Sequence, residues 1–181
     1  MVFGAGAIGI SVAMALKYFG CLKVMIVDFS EFRLNKAISL GFEVCNSKKE
    51  DLKEKAFKVF GESKNFSGPA ANVDIFIDAT GAAPVLESMF TLGKFFSKMV
   101  LVGVHHTPRT IDLLSFIYSQ QDLTGSGGYT PEDVIDVMNI MESGEYDIES
   151  LVTDEYDLED IEEAIQKASE AENALKVVIK Y

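Results

Sequence analysis

Three glycines close to the start, in Val2-Phe3-Gly4-Ala5-Gly6-Ala7-Ile8-Gly9, constrain what this chain can fold into more than any other stretch. The spacing G-x-G-x-x-G, set between an apolar strand and an apolar helix, builds a turn whose backbone meets a ligand with no side chain in the way. Gly4 permits the tight exit from the strand, Gly6 leaves the backbone open to a pyrophosphate, and Gly9 lets the helix press onto the sheet. The helix start then offers unpaired N–H groups and a positive dipole end to the phosphates. A glycine turn alone is a weak signal, because such turns also precede helices that bind nothing. The flanks strengthen it. Ile8, Val12, Ala15, Leu16 and Phe19 recur at helical spacing and Gly20 closes the helix. Lys23-Val24-Met25-Ile26-Val27 then reads as a buried strand, and it ends in Asp28, 19 residues past Gly9. A carboxylate there accepts hydrogen bonds from the adenosine ribose hydroxyls and repels a 2′-phosphate, so the expected ligand is NAD in preference to NADP. The bland alternative is that Asp28 only ends a strand.

The rest of the chain keeps alternating. Ser30 and Gly41 bracket a second helix. Arg33, in its first turns, lies near the expected ribose, the alternative being a solvated helix charge. Residues 42–46 form a third short strand, 48–60 a basic amphipathic helix, and the polar, Gly- and Pro-containing stretch 61–72 a loop. Residues 73–81 give a fourth strand ending in Asp78-Ala79-Thr80-Gly81. A helix over 84–92 follows, then an almost wholly apolar strand over 99–104, a short helix or turn over 110–118, and a last strand at 123–125. This predicts an open, doubly wound parallel α/β sheet of order 3-2-1-4-5-6, with ligand at the carboxyl ends of its strands.

Beyond that point the composition changes. Residues 112–181 hold 18 of the 28 acidic side chains and only three of the 16 basic ones, in a chain of net charge −12. A nucleic-acid surface would need a basic face, which this half does not have, so no nucleic acid is expected as partner. Thr130-Pro131-Glu132-Asp133 reads as a helix start, with Val134, Val137, Met138 and Met141 as its buried stripe. Asp157 is expected to cap another helix in which Leu158, Ile161, Ala164, Ile165 and Ala168 face inward and the acids outward. The final Ala174-Leu175-Lys176-Val177-Val178-Ile179-Lys180-Tyr181 is a strand with no evident partner, giving a C-terminal α+β appendage. No apolar run approaches the ~18 residues that span a bilayer, and no leader pattern precedes the first strand; the expectation is a cytoplasmic protein. Cys21 and Cys45 form no C-x-x-C pair and read as reduced thiols. His105 and His106, adjacent in an extended segment, point opposite ways and suit a loop better than a metal site.

Several of these stretches occur together, in order, and the chain thereby resembles the cofactor-binding half of the medium-chain, zinc-dependent alcohol dehydrogenases, nearest their polyol, butanediol and threonine dehydrogenase branch. The resemblance is carried by Val2-Phe3-Gly4-Ala5-Gly6-Ala7-Ile8-Gly9, Val27-Asp28 with Arg33-Leu34 and Ala37-x-x-Leu40-Gly41, Asp78-Ala79-Thr80-Gly81, Val100-Leu101-Val102-Gly103-Val104, Thr124-Gly125-Ser126-Gly127-Gly128-Tyr129-Thr130 and Lys176-Val177-Val178. It implies a Rossmann domain over residues 1–127 and a segment, 128–181, that packs onto a separate catalytic domain. Gly4, Gly6, Ala7 and Gly9 would hold the pyrophosphate turn, with Ile8 behind the nicotinamide. Asp28 and Arg33 would meet the ribose, and Ala79, Thr80 and Gly81 would line the dinucleotide. Val102, Gly103 and Val104, with Ser126 and Gly127, would serve the carboxamide. Lys176 stands where the family usually has a pyrophosphate arginine. The family's zinc ligands lie in its N-terminal catalytic domain, and this sequence has no set to replace them, so no catalytic or metal-binding residue is assigned. Zinc, and a small alcohol or polyol substrate, would belong to the full-length enzyme, and the chain alone is expected to bind NAD(H) without turnover. The resemblance also implies a homodimer or higher homo-oligomer formed through the strand at 123–125. Two other readings are a non-catalytic NAD-sensing domain and a methyltransferase, which also sets an acid after its second strand; the later motifs speak against the latter. A short-chain dehydrogenase is excluded, as no Tyr-x-x-x-Lys occurs.

Overall fold

The computed structural model describes residues 1–181. The chain runs β1 (Val2–Phe3), α1 (Ala7–Tyr18), β2 (Met25–Asp28), α2 (Glu31–Ser39), β3 (Glu43–Asn46), α3 (Leu52–Phe60), β4 (Glu62–Asn65), β5 (Gly68–Ala71), β6 (Ile75–Asp78), α4 (Ala83–Leu92), β7 (Lys98–Leu101), α5 (Leu113–Tyr118), β8 (Asp122–Gly125), α6 (Pro131–Glu142), β9 (Asp154–Asp157), α7 (Ile161–Ala168) and β10 (Val177–Lys180). Six strands make one parallel sheet ordered β3-β2-β1-β6-β7-β8. With the separate β4–β5 pair set aside, that is the expected order 3-2-1-4-5-6. No helix is long and apolar enough to cross a membrane.

Period-two burial explains why helices cover both faces. Val2, Ile26 and Ile77 point to one face, against Ile10, Ala13 and Met14 of α1 and Leu34 and Ala37 of α2. Phe3, Met25, Val27 and Phe76 point to the other, against Ala56 of α3 and Met89 and Leu92 of α4. α1 reaches β1 only because residue 9 lacks a side chain: a Cβ there would stand 1.9 Å from the Gly4 carbonyl oxygen.

Four differences from the sequence reading have physical causes. Residues 61–72, expected as a loop, form an antiparallel hairpin of β4 and β5. It carries little apolar alternation, but the Asn65 carboxamide organises it. Its oxygen accepts from Ser67 and Gly68, and its nitrogen donates to the Thr91 and Gly93 carbonyls. The helix expected over 48–60 starts only at Leu52, because Asn46 and Glu50 bond neighbouring backbone N–H groups in a turn and Asp51 caps the helix instead. The terminal strand does have a partner, since β10 pairs in parallel with β9, whose Asp-Glu-Tyr-Asp sequence is too polar to announce a strand.

The fourth difference concerns the two acidic helices. The expected stripe of α6 lies open, with Val134, Val137, Met138 and Met141 each 45% or more exposed, and Ile140 is the one buried residue. On α7 only Ala164 is buried; Ile161 and Ile165 are exposed, as are Leu158 before the helix and Ala168. Asp157 makes no side-chain cap. The apolar spacing is present on both helices; α6 meets α1 and α7 lies against β9 and β10, yet only Ile140 and Ala164 are buried. The appendage is held instead by Leu151 and Leu175, which enter the α1–α2 core, and by Tyr146, whose ring stacks on Phe42 at 6.2 Å.

Gly9→Ala forces α1 away from β1 and lowers stability by about 2–3 kcal/mol, as overpacking does, read as a fall in Tm of roughly 5–10 °C.

Candidate functional site

The carboxyl ends of β1, β2, β6, β7 and β8 bring most of the predicted residues together along one edge of the sheet. At its middle is the glycine turn. Gly4 has φ +102° and donates its N–H to the Val27 carbonyl, while Gly6, at φ −70°, caps α1 with no side-chain bond. The first-turn N–H groups, at Ala7, Ile8 and Gly9, have no acceptor in the helix's own ladder. A Cβ at Gly6 would meet only Arg33 Nη1, at 3.8 Å, so the space above this residue is open. Ile8 is 60% exposed at the same helix start, an apolar surface beside the turn.

Asp28 closes β2, and the turn next to it fills much of its carboxylate. Oδ2 accepts from Ala5 N at 2.6 Å, and Oδ1 from Phe29 N and Ser30 N at 2.7 and 2.9 Å. Because Ala5 sits between Gly4 and Gly6, Asp28 fixes the glycine turn as well as ending the strand. Arg33 reaches over Gly6 from α2, and its Nε and Nη2 donate to the Ala174 carbonyl at 3.4 and 3.3 Å. The fully buried Ser30 caps α2 and donates to the Ala171 carbonyl at 3.0 Å. A strap of C-terminal chain thus lies along the α2 side of the turn. Lys176, two residues beyond Ala174, has an exposed side chain and a carbonyl that accepts from Thr153 N, so Arg33 is the cation the structure puts over Gly6.

On the other flank of β1, Asp78 is completely buried and gathers two turns. Oδ1 accepts from Thr80 N, Thr80 Oγ1 and Gly81 N at 2.7, 2.6 and 3.1 Å, and Oδ2 lies 2.8 Å from His105 Nε2. The Asp78 carbonyl accepts from Val102 and Gly103. Ala79 N donates to the Phe3 carbonyl, which ties this turn to β1. The two turns touch backbone to backbone: a Cβ on Gly81 would lie 2.2 Å from Val104 O, and one on Gly103 would lie 2.1 Å from Gly81 N. Ser126 N donates to the Leu101 carbonyl, and Gly127 follows it on exposed chain beyond β8.

Sequence reasoning missed Asp78 and His105. The available signal was a carboxylate at the end of an apolar strand, which burial obliges to find partners. His106 is exposed, whereas His105 turns inward to Asp78. No group of three or more His, Cys, Asp or Glu residues that could hold a metal ion occurs. Burial pushes the Cys45 thiol up to about 11, so it is not a ready nucleophile. An apolar hollow lined by Met1, Cys21, Leu22, Phe60, Val73 and Ile75 lies at the amino edge of the sheet, away from all of these groups. Open α/β sheets take ligands at the carboxyl edge.

Known proteins share this fold. The chain is 25% identical over 180 residues to sorbitol dehydrogenase of Arabidopsis thaliana, covering 98% of the chain and 48% of that enzyme. It is 28% identical over 182 residues to L-threonine 3-dehydrogenase of Mesorhizobium japonicum, covering 100% and 50%. The crystal structure of 2R,3R-butanediol dehydrogenase from Bacillus subtilis superposes with a TM-score of 0.83 at 25% identity, over 99% of this chain and 50% of that one. An alcohol dehydrogenase from Escherichia coli CFT073, solved with NADH and described as short chain, shares the fold with a TM-score of 0.83 at 22% identity, over 99% and 51%. The chain therefore spans about half the length of the relatives it matches. The zinc-binding dehydrogenase family matches residues 7–143, from the helix after the glycine turn to the end of α6, and the chain belongs to that family.

Proposed function

We propose that this chain is the NAD(H)-binding half of a dehydrogenase that moves hydride between a secondary alcohol and NAD, and that it has no alcohol-oxidising activity by itself. Support comes above all from the turn at Gly6, where open backbone, the start of α1 and the Arg33 guanidinium converge on one place suited to a pyrophosphate. When bound, the dinucleotide supplies the hydride acceptor or donor. The chain's own residues hold it. Gly4, Gly6, Ala7 and Gly9 leave the phosphates room and N–H groups, and Ile8 offers an apolar surface to the nicotinamide. Asp28 has spent three acceptor positions on backbone N–H groups and keeps capacity for a ribose hydroxyl. Its charge favours NAD over NADP. Ala79, Thr80 and Gly81 line the far half, Val102, Gly103, Val104, Ser126 and Gly127 take the carboxamide end, and Lys176 adds positive charge near the strap.

The residues present do not fit a zinc ion, which in catalytic sites takes about three protein ligands. No step through zinc is assigned to them. In this reading residues 1–127 bind the cofactor and 128–181 dock onto a catalytic domain that carries zinc and selects the alcohol or polyol. The exposed apolar residues of α6 and α7 suit such docking. β8 is an edge strand with β7 as its only neighbour, which suits pairing with a second copy in a homo-oligomer.

Calorimetry should show NADH binding to the purified chain and weaker binding of NADPH. Incubation with NAD, zinc and sorbitol, butanediol or threonine should give no NADH. Gly6→Ala is expected to leave Tm within about 2 °C of wild type, since φ −70° suits alanine and nothing lies close, while NADH affinity falls at least about tenfold. Absence of NADH binding, or tighter binding of NADPH, overturns the cofactor reading; alcohol-dependent NADH formation overturns the inactivity.

A further inference from the structure

The Asp78–His105 pair is a buried carboxylate–imidazole contact at the carboxyl edge that the cofactor reading leaves unused. Three observations bear on it. Asp78 has no exposure, and both of its oxygens are engaged, Oδ1 by the Thr80–Gly81 turn and Oδ2 by His105 Nε2 at 2.8 Å. The His105 side chain is only 14% exposed, and its Nδ1 is buried with no hydrogen-bond partner. Gly81 and Gly103 have no room for a Cβ, so the Ala79–Gly81 and Val102–Val104 turns are in direct backbone contact.

A carboxylate can only accept, so Nε2 carries the proton, and in the neutral ring the lone pair falls on Nδ1. The imidazole is therefore held in one tautomer and one orientation by a charge-assisted bond. That bond clamps residue 105 to the end of β6, whereas the chain leading to it comes from β7. Val104, directly before it, lies against Gly81. Strand order sets which end of a dinucleotide this affects. Asp28 ends β2 on one side of the glycine turn, and Asp78 ends β6 on the other. With the adenosine ribose at Asp28, the nicotinamide end falls on the β6–β7 side.

We propose that His105 is a positioning residue for the nicotinamide end of the cofactor, acting through its bond to Asp78 to lock the Val102–Val104 turn onto the Ala79–Gly81 turn. This rests on the cofactor reading above and deepens it by dividing the site into two separately braced halves. Removing the imidazole leaves a buried carboxylate oxygen without its partner and frees the Val104 peptide. The loss falls on the nicotinamide half and spares the half braced by Asp28.

The sequence contains only two histidines, so isotopically labelled histidine gives a spectrum simple enough to test this in the wild-type chain. His106→Gln assigns the exposed ring. The His105 imidazole nitrogen resonances should move on saturation with NADH and stay in place with ADP-ribose, which lacks the nicotinamide. His105→Ala should raise the Kd for NADH about tenfold and change that for ADP-ribose by less than about twofold. His105→Gln, whose Nε2 can donate to Asp78, should recover most of the affinity. His105 resonances unmoved by NADH, equal weakening of both ligands by His105→Ala, or no weakening of either overturns the proposal. Should the alanine variant fail to fold, the wild-type spectra and the glutamine variant decide. If the wild type binds neither ligand, the cofactor reading fails and the proposal falls with it; if both bind and the His105 results differ from these, the proposal alone fails.

Discussion

Two aspartates, at the ends of the strands on either side of β1, shape everything at the carboxyl edge. Asp28 and Asp78 each sit where an apolar strand gives way to a turn, and each takes hydrogen bonds from the turn that follows. A carboxylate in such surroundings must be satisfied or it costs several kcal/mol. Satisfying it pins the backbone around it. Asp28 holds Ala5 and thereby the glycine turn; Asp78 holds Thr80, Gly81 and, from the chain beyond the neighbouring strand, His105. The open backbone at Gly6 lies between two rigid abutments and needs no ligand to define its shape.

This division shows what the sequence could and could not reveal. The glycine spacing, the apolar runs 24–27 and 99–102 and the position of Asp28 depend on local geometry and on burial along a strand, and they led directly to the sheet order. The hairpin at Glu62–Ala71 depends on the side-chain amide of Asn65 reaching the end of α4, a contact across 26 to 28 residues with no trace in periodicity. β9 is a strand because β10 lies beside it, not because Asp-Glu-Tyr-Asp favours one. At the site, the Asp78–His105 bond joins residues 27 apart, and only the parallel register of β6 and β7 brings them within reach.

The acidic helices are the opposite case. Their apolar spacing marks a face that can be buried and does not say what buries it. On α6 and α7 the 181 residues provide little cover, whereas Leu151 and Tyr146, which belong to no obvious pattern, and Leu175, at the start of the terminal apolar run, fasten this region to the core. Relatives twice as long have further chain available for such faces.

The strap beside the glycine turn has a consequence for how the protein comes into being. Ser30 and Arg33 are each tied to chain 141 residues away, at Ala171 and Ala174. Contacts this distant in sequence form late, because the loop they close is long. During synthesis the glycine turn and Asp28 leave the ribosome at least 141 residues ahead of the chain that braces them. A nascent chain therefore carries the phosphate turn with its α2 side unfastened until Ala171 and Ala174 have followed.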